Sequence, residues 1–386
     1  MNQRGKKRKK KKRPSSSKKR LSPNRLSPER QRRPHPQYFV VSQQFEVLPL
    51  EDNEDEPLRR SRTRLRQVKP GALVLITKKT CDDFCLIRPD GKVEWVLLYL
   101  LLHRLKRYGL ELHAFIFLSN HFHLVVTDVK GNLPAFMRDF LSESSKAVQI
   151  ALGVKRTIWS SKRYASTELL DRSTAERYIA YCQTNPTEAG LTLPRDWPGL
   201  TSARTQFGGF LEARRPEFYC REHRAEVIKV PLSPLPTMLG ESAKDTQDRA
   251  VLSNSPEDST EAKQAANRLC RRLQSAIDSR VEKRVEEILE KRKRNKQGEL
   301  AGSSAVLKTS RWKRGNPPDR GITPRFAGSD ADVREYASAE YKAFCSEHRD
   351  AVERYVAGET NVLFPHGTWG YRELLRVRVR KGGEAA

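Results

Sequence analysis

Six segments between residues 71 and 169 read in the order strand, helix, strand, strand, helix, strand, and residues 258–297 keep helical spacing without a single Gly or Pro. These observations predict an α+β protein: a ferredoxin-like split βαβ sheet with helices on one face, followed by a mainly helical C-terminal extension. The 386 residues give room for one large domain or two ordinary ones.

Each element has a local reason. Residues 71–77 are a short apolar run with β-branched members after Pro70-Gly71, the pattern of a buried strand. Pro89-Asp90-Gly91 marks a turn, and 93–108 is a helix with a wide apolar face, closed by Gly109. Residues 113–118 and 122–129 are strands two and three, joined through Ser119-Asn120 as a hairpin. Residues 133–152 are helical, with Leu133, Phe136, Phe140, Ala147 and Ile150 on one side and Gly153 as the stop. Residues 157–169 supply the fourth strand. Ser173-Thr174-Ala175-Glu176 reads as a capping box that opens a helix over 174–184, closed by Asn185-Pro186 near Gly190.

Further on, 211–257 is expected to be a linker, Pro- and Ser-rich from residue 232. In 258–297, Leu269, Leu273, Ile277, Val281, Val285 and Ile288 form an apolar stripe, while Arg271, Arg272, Arg280, Lys283 and Arg284 occupy other faces. That helix has two readings, packing on its own domain or lying along a nucleic acid. A further amphipathic helix is expected over 331–356. The resulting division is a basic arm with an acidic linker (1–67, acidic over 51–57), an α+β domain (68–210), a linker (211–257) and a helical region without assigned chemistry (258–386).

Charge points to the partner. Lys and Arg total 74 against 47 Asp and Glu, a net +27, of which residues 1–36 alone carry +15. Such an excess suits a polyanion, a nucleic acid or an acidic membrane surface. The arm has no apolar periodicity, so it is either a solvated tail or a sequence-independent phosphate contact. The longest strongly apolar run, 96–102, is far short of the roughly 20 residues of a membrane helix, so no integral membrane segment is expected. Six Cys and no secretory leader point to a reducing, cytoplasmic setting without disulfides. Cys81 and Cys85 have no second pair at matching spacing, so a zinc site is not expected, and Cys182 reads as a small buried residue.

Two patterns carry chemistry. His121 and His123 alternate along a strand, so both imidazoles leave one face while Phe122 enters the opposite layer. Alone, the pair is half of a divalent-metal site or two packed histidines. Tyr181 and Asn185 are four apart on a helix and share a face, where a phenol and a carboxamide can meet the imidazoles. Tyr178, one turn earlier, competes with Tyr181. His113 is expected to be packed or solvent-facing.

Leu118-Ser119-Asn120-His121-Phe122-His123-Leu124-Val125-Val126 resembles the His-hydrophobic-His (HUH) signature of single-tyrosine transposases. The stretch from Arg177 through Tyr181, Asn185-Pro186 and Ala189-Gly190-Leu191 resembles their nucleophile helix, in the form of the REP-associated tyrosine transposases. Trp159, Tyr164 and Trp197-Pro198-Gly199 match further landmarks of that branch, and the resemblance spans about residues 68–210. It implies that His121, His123 and Asn185 bind Mg²⁺ or Mn²⁺ and that Tyr181 is the nucleophile. It also implies a 5′-phosphotyrosine intermediate on single-stranded, hairpin-bearing DNA, with a free 3′-OH. Lys162, Arg163 and Arg177 are the expected DNA contacts. The implied protein is a nucleoid-associated bacterial transposase, monomeric or homodimeric. A DNA- or RNA-binding protein without cleavage activity and an HUH replication or conjugation nickase are the alternatives.

Overall fold

The computed structural model describes residues 65–220, 222–315 and 323–382; the basic arm and the acidic stretch expected from the sequence lie outside them. The elements are β1 (Ala72–Lys79), α1 (Lys92–Tyr108), β2 (Glu111–Phe117), β3 (His121–Asp128), α2 (Leu133–Leu152), β4 (Ala165–Leu169), α3 (Arg172–Glu188), β5 (Phe210–Arg214), β6 (Val227–Pro231), α4 (Ala243–Asn254), α5 (Thr260–Arg294), α6 (Ser303–Lys308), β7 (Phe326–Ala327), α7 (Ala331–Val356), β8 (Leu363–Phe364), α8 (Gly370–Leu375) and β9 (Arg378–Val379). The main sheet is mixed, with order β2-β3-β1-β4-β7; its first four strands pair antiparallel and β7 joins β4 in parallel.

Strand alternation decides what each face carries. On β3, Phe122 is fully buried and meets Phe140 of α2 edge-on at 5.8 Å, while the neighbouring His123 meets Tyr181 of α3 at 5.3 Å. Adjacent strand residues point to opposite faces, so α1 and α2 cover one side and α3 lies on the other, against β2 and β3. Phe122 also packs on Trp159 at 5.3 Å and Phe117 at 5.0 Å. Phe122→Ala is therefore expected to cost about 3–5 kcal/mol of stability, from lost burial plus the cavity left behind, measurable by urea unfolding.

The helix stops follow the sequence. Gly109 and Gly153 take left-handed conformations (φ 66° and 65°) and close α1 and α2. The entry to α2 is held by Asp128, whose carboxylate accepts the N–H groups of Asn132 (2.7 Å) and Leu133 (2.9 Å).

Several expectations are corrected. The fourth strand is only residues 165–169: Lys78 Nζ donates to the carbonyls of Ser160 (2.7 Å) and Lys162 (2.5 Å), holding a bend that keeps the preceding residues out of the ladder apart from the Thr80–Trp159 bridge. Ile150 is 57% exposed, beyond the edge of α2's buried stripe. The helix α3 is capped by Asp171, not Ser173: the Asp171 carboxylate accepts Thr174 N–H at 2.8 Å, and Glu176 is taken by Arg172 at 2.7 Å instead of reaching back. Pro186 lies inside α3 and does not end it, because a missing N–H in the last turn costs a single helical bond. Residues 211–257, expected as a linker, hold the β5–β6 hairpin against α1 and α4 against α5.

Beyond the sheet, α5 packs on α3 and α4, with Leu273 and Ile277 buried in the main core, while Arg271 and Lys283 stay exposed on its outer face. A buried ionic network reinforces the junction. Arg172 of α3 meets Glu176, Glu241 (3.5 Å) and Asp245 of α4 (3.6 Å), and Arg272 of α5 closes on Asp245 and Asp248 at 2.6 Å each. No helix among the described residues is long and apolar enough to cross a membrane.

Candidate active site

The β1–β3 register sets the two imidazoles. Thr77 lies opposite His123 and Lys79 opposite His121. His123 Nδ1 is 2.8 Å from Thr77 Oγ1, and His121 Nδ1 is 2.8 Å from Asn120 Oδ1. With each Nδ1 engaged by an oriented partner, Nε2 is the nitrogen each ring has left to offer. The rings stand edge to face, 5.0 Å apart.

Both histidines are held neutral. Burial, with help from the Lys79 charge, pushes His121 down to about 4 against the opposing pull of Asn185 and Asp83. Burial and the neighbouring His121 put His123 well below its ordinary value. Neutral imidazoles keep their lone pairs, the form a metal requires.

Helix α3 brings the other two groups. The Asn185 amide nitrogen is 3.4 Å from His123 Nε2, and its side chain also reaches His121. Turning the amide over presents its oxygen to the same place. Two Nε2 atoms and one carboxamide oxygen give a neutral three-donor set that a divalent cation can take while leaving positions open for oxygen ligands. Among the described residues, no group of three His, Cys, Asp or Glu side chains is placed to hold a metal, so an amide would have to serve as third ligand here.

Tyr181 is half-buried, its ring 5.3 Å from that of His123. Burial raises its pKa; Asn185 and Arg284 oppose that rise, while Cys182 and Glu188 add to it. Tyr178 is 6.2 Å from Tyr181, ring to ring, and packs under the Arg177 guanidinium instead of on the histidines. Of the two tyrosines, Tyr181 is the one that shares a ring contact with the His pair.

Of the expected DNA contacts, Lys162, Arg163 and Arg177 are all exposed, and the first two sit in the bend before β4 and not on the strand. None shares a hydrogen bond, ion pair or ring contact with His121, His123, Tyr181 or Asn185 among the described residues. His113 is fully buried, bound to Thr127 Oγ1 at 2.8 Å and Ser233 O at 3.0 Å, with burial pushing it down to about 4. Cys182 is buried, and Trp159 and Trp197 are buried structural residues that donate to Ser144 Oγ and to Phe117 O.

Sequence reasoning missed Arg284. Its guanidinium carbon lies 5.4 Å from the Tyr181 ring centroid, its Nε donates to Thr184 Oγ1 at 2.9 Å, and its Nη2 pairs with Glu188 at 3.0 Å. Arg280, one turn earlier on α5, pairs with Glu176 at 3.0 Å. The i,i+4 arginines were visible as a basic face; that this face turns toward α3 was not.

Fold and site together define an α+β protein in which a strand-borne His pair and a helix-borne Tyr/Asn pair meet at one locus. No protein-family description matches the chain, and no curated protein matches it. Among solved structures it has a distant likeness to one described as "Structure of the REP associates tyrosine transposase bound to a REP hairpin", at 18% identity and TM-score 0.32, covering 38% of this chain and 84% of that one.

Proposed function

We propose that this chain is a divalent-cation-dependent transposase that nicks and rejoins single-stranded, hairpin-bearing DNA through Tyr181. The observation that carries the reading is the meeting of His121, His123, Asn185 and Tyr181 from β3 and α3, elements about sixty residues apart in sequence. The strand order β2-β3-β1-β4 with antiparallel pairing supports the ferredoxin-like form of the sheet on which the resemblance depends.

In this reading Tyr181 Oη attacks the scissile phosphorus and gives its proton to solvent, and the leaving 3′ oxygen takes up a proton from solvent. The bond to the 3′ oxygen breaks, and the 5′ phosphate stays on the tyrosine while a 3′-OH is released. The phosphotyrosine conserves the energy of the broken diester, so a second strand end can reverse the step. A phenol with an ordinary pKa near 10 is a weak nucleophile at neutral pH, and burial does not help it. The protein's contribution is placement: α3 fixes the phenol against the His pair, Arg284 lays a cation on its ring, and Thr77 and Asn120 fix the imidazole orientations. Mg²⁺ or Mn²⁺ held by His121, His123 and Asn185 would polarise the phosphate oxygens. Lys162, Arg163 and Arg177 are proposed as phosphate contacts along the flanking strand, and the chain as a monomer or homodimer.

The test incubates the full chain with labelled hairpin-bearing single-stranded DNA and Mn²⁺ or Mg²⁺, then runs a denaturing gel. A labelled protein band is expected for wild type and is expected to be absent from Tyr181→Phe and from the His121→Ala/His123→Ala double variant. A salt-sensitive native shift without any covalent band would replace the enzyme by a DNA-binding protein.

A further inference from the structure

Residues 310–315 belong to the C-terminal region to which the sequence assigned no chemistry. In the fold they are laid against residues 83–88, with Gly315 against Asn120, the neighbour of His121. Cys85 N–H donates to Lys313 O at 3.1 Å, Gly315 N–H donates to Asp83 O at 2.8 Å, and Phe84 bridges Arg314 antiparallel. The approach is close: a Cβ on Gly315 would come within 2.1 Å of Asn120 Nδ2, and Asn120 is the residue that orients His121.

This segment presents Trp312 to solvent, 52% exposed, standing edge-on to Phe84 with ring centroids 6.0 Å apart. Guanidinium groups flank the pair. Arg156 lies 4.8 Å from the Phe84 ring and 5.1 Å from the Trp312 ring, and Arg314 lies 5.3 Å from Phe84. Lys155, Lys313 and Arg314 are exposed around it. The nearby carboxylates are already engaged, Asp82 with Arg156 at 3.7 Å and Asp83 with Lys79 at 3.4 Å. By contrast Arg311 is turned inward, onto the carbonyls of Leu86 (3.2 Å) and Arg88 (3.3 Å) and onto Asp90, and so fastens the segment down.

An exposed indole, backed by a second aromatic ring and ringed by cations, is the chemistry of a stacking platform for unpaired nucleobases with phosphate contacts at its margin. We propose that Trp312, with Phe84, Arg156 and Arg314, binds unpaired bases of single-stranded DNA next to the cleavage site. The proposal deepens the functional reading above and rests on it for its location relative to the cut phosphate. It places the C-terminal region in substrate binding: the platform would hold the strand that leads from Tyr181 past His121, by stacking that tolerates any base.

The test measures binding of a fluorescein-labelled, unstructured single strand to the full chain by anisotropy, at several salt concentrations and without divalent cation. Trp312→Ala is expected to weaken binding roughly 5- to 100-fold, Trp312→Phe to recover most of that loss, and Arg314→Gln to lower the salt slope by about one. Trp312→Ala binding within twofold of wild type would overturn the platform, even if wild type forms the covalent adduct. Conversely, loss of binding in Trp312→Ala together with no adduct in wild type would keep the platform and sink the cleavage reading. Because Trp312 is more than half exposed, Trp312→Ala should unfold at the wild-type midpoint, and a lowered midpoint with Trp312→Phe also failing to bind would count against the proposal.

Discussion

His123→Ala is expected to lose strand cleavage by about a thousandfold while still binding single-stranded DNA. The ring stands in a position that no neighbour can fill: Thr77 holds Nδ1, the Tyr181 ring packs on its side, and Asn185 faces Nε2. Removing it takes away one of the three proposed ligands and the ring against which Tyr181 packs. A metal's stabilisation of transition-state charge is worth several kcal/mol, and about 4 kcal/mol corresponds to roughly a thousandfold in rate. Thr77→Val makes the sharper comparison. It keeps the ring and removes only its orienting partner, so a loss of roughly 10- to 100-fold is expected. Single-turnover cleavage rates at saturating Mn²⁺ measure both. A His123→Ala rate within tenfold of wild type would remove His123 from the site.

Arg172→Ala is expected to cost about 2–3 kcal/mol of stability, the loss of charge-assisted contacts to three buried carboxylates. Arg172 is 6% exposed and reaches Glu176, Glu241 and Asp245. Truncation leaves those carboxylates buried with less compensation, and an unpaired buried charge costs more than the pair was worth. Asp245 retains Arg272, Glu241 retains Arg249 (2.6 Å) and Glu176 retains Arg280, so the network is weakened and not emptied. Urea unfolding gives the number. Adding Glu176→Gln to Arg172→Ala should recover part of the loss, because contacting residues do not behave additively. Since the network ties α4 and α5 to the helix that carries Tyr181, a loosened junction should also lower cleavage through misplacement of the phenol.

Long helices were the most legible part of the chain. The stretches 133–152 and 331–356 match α2 and α7 at both ends. Their periodicity runs over many turns, and Gly153 stops the first at a conformation that favours glycine. Short strands were not legible: β7 is two residues long, with no alternation to read, and joins the sheet only because residues 324–327 dock beside β4. The cap of α3 was misplaced by two residues because Ser173 and Asp171 are both good caps. The structure chooses Asp171, which also receives Ser329 N–H at 2.6 Å from a distant segment. At the site, local spacing singled out the His pair and the Tyr181/Asn185 pair as candidates, and the resemblance to tyrosine transposases implied their roles. Their supports had no such signal: Thr77 reaches His123 through β1–β3 register, and Arg284 reaches Tyr181 across about a hundred residues of sequence. Such contacts depend on how elements pack, which no local pattern records.

Peptide mapping of the adduct decides whether Tyr181 forms a covalent bond to DNA phosphate. Wild-type chain is incubated with hairpin-bearing single-stranded DNA and Mn²⁺, the DNA is digested to a nucleotide stub, and the protein is cleaved with trypsin. Tyr178 and Tyr181 fall in one peptide, residues 178–195, between Arg177 and the cut after Arg195, so fragmentation within it must place the added mass. The expected result is a phosphonucleotide on Tyr181, absent when His123 is replaced by Ala. A stub on Tyr178, or an unmodified peptide under conditions where the DNA is cut, would contradict the account.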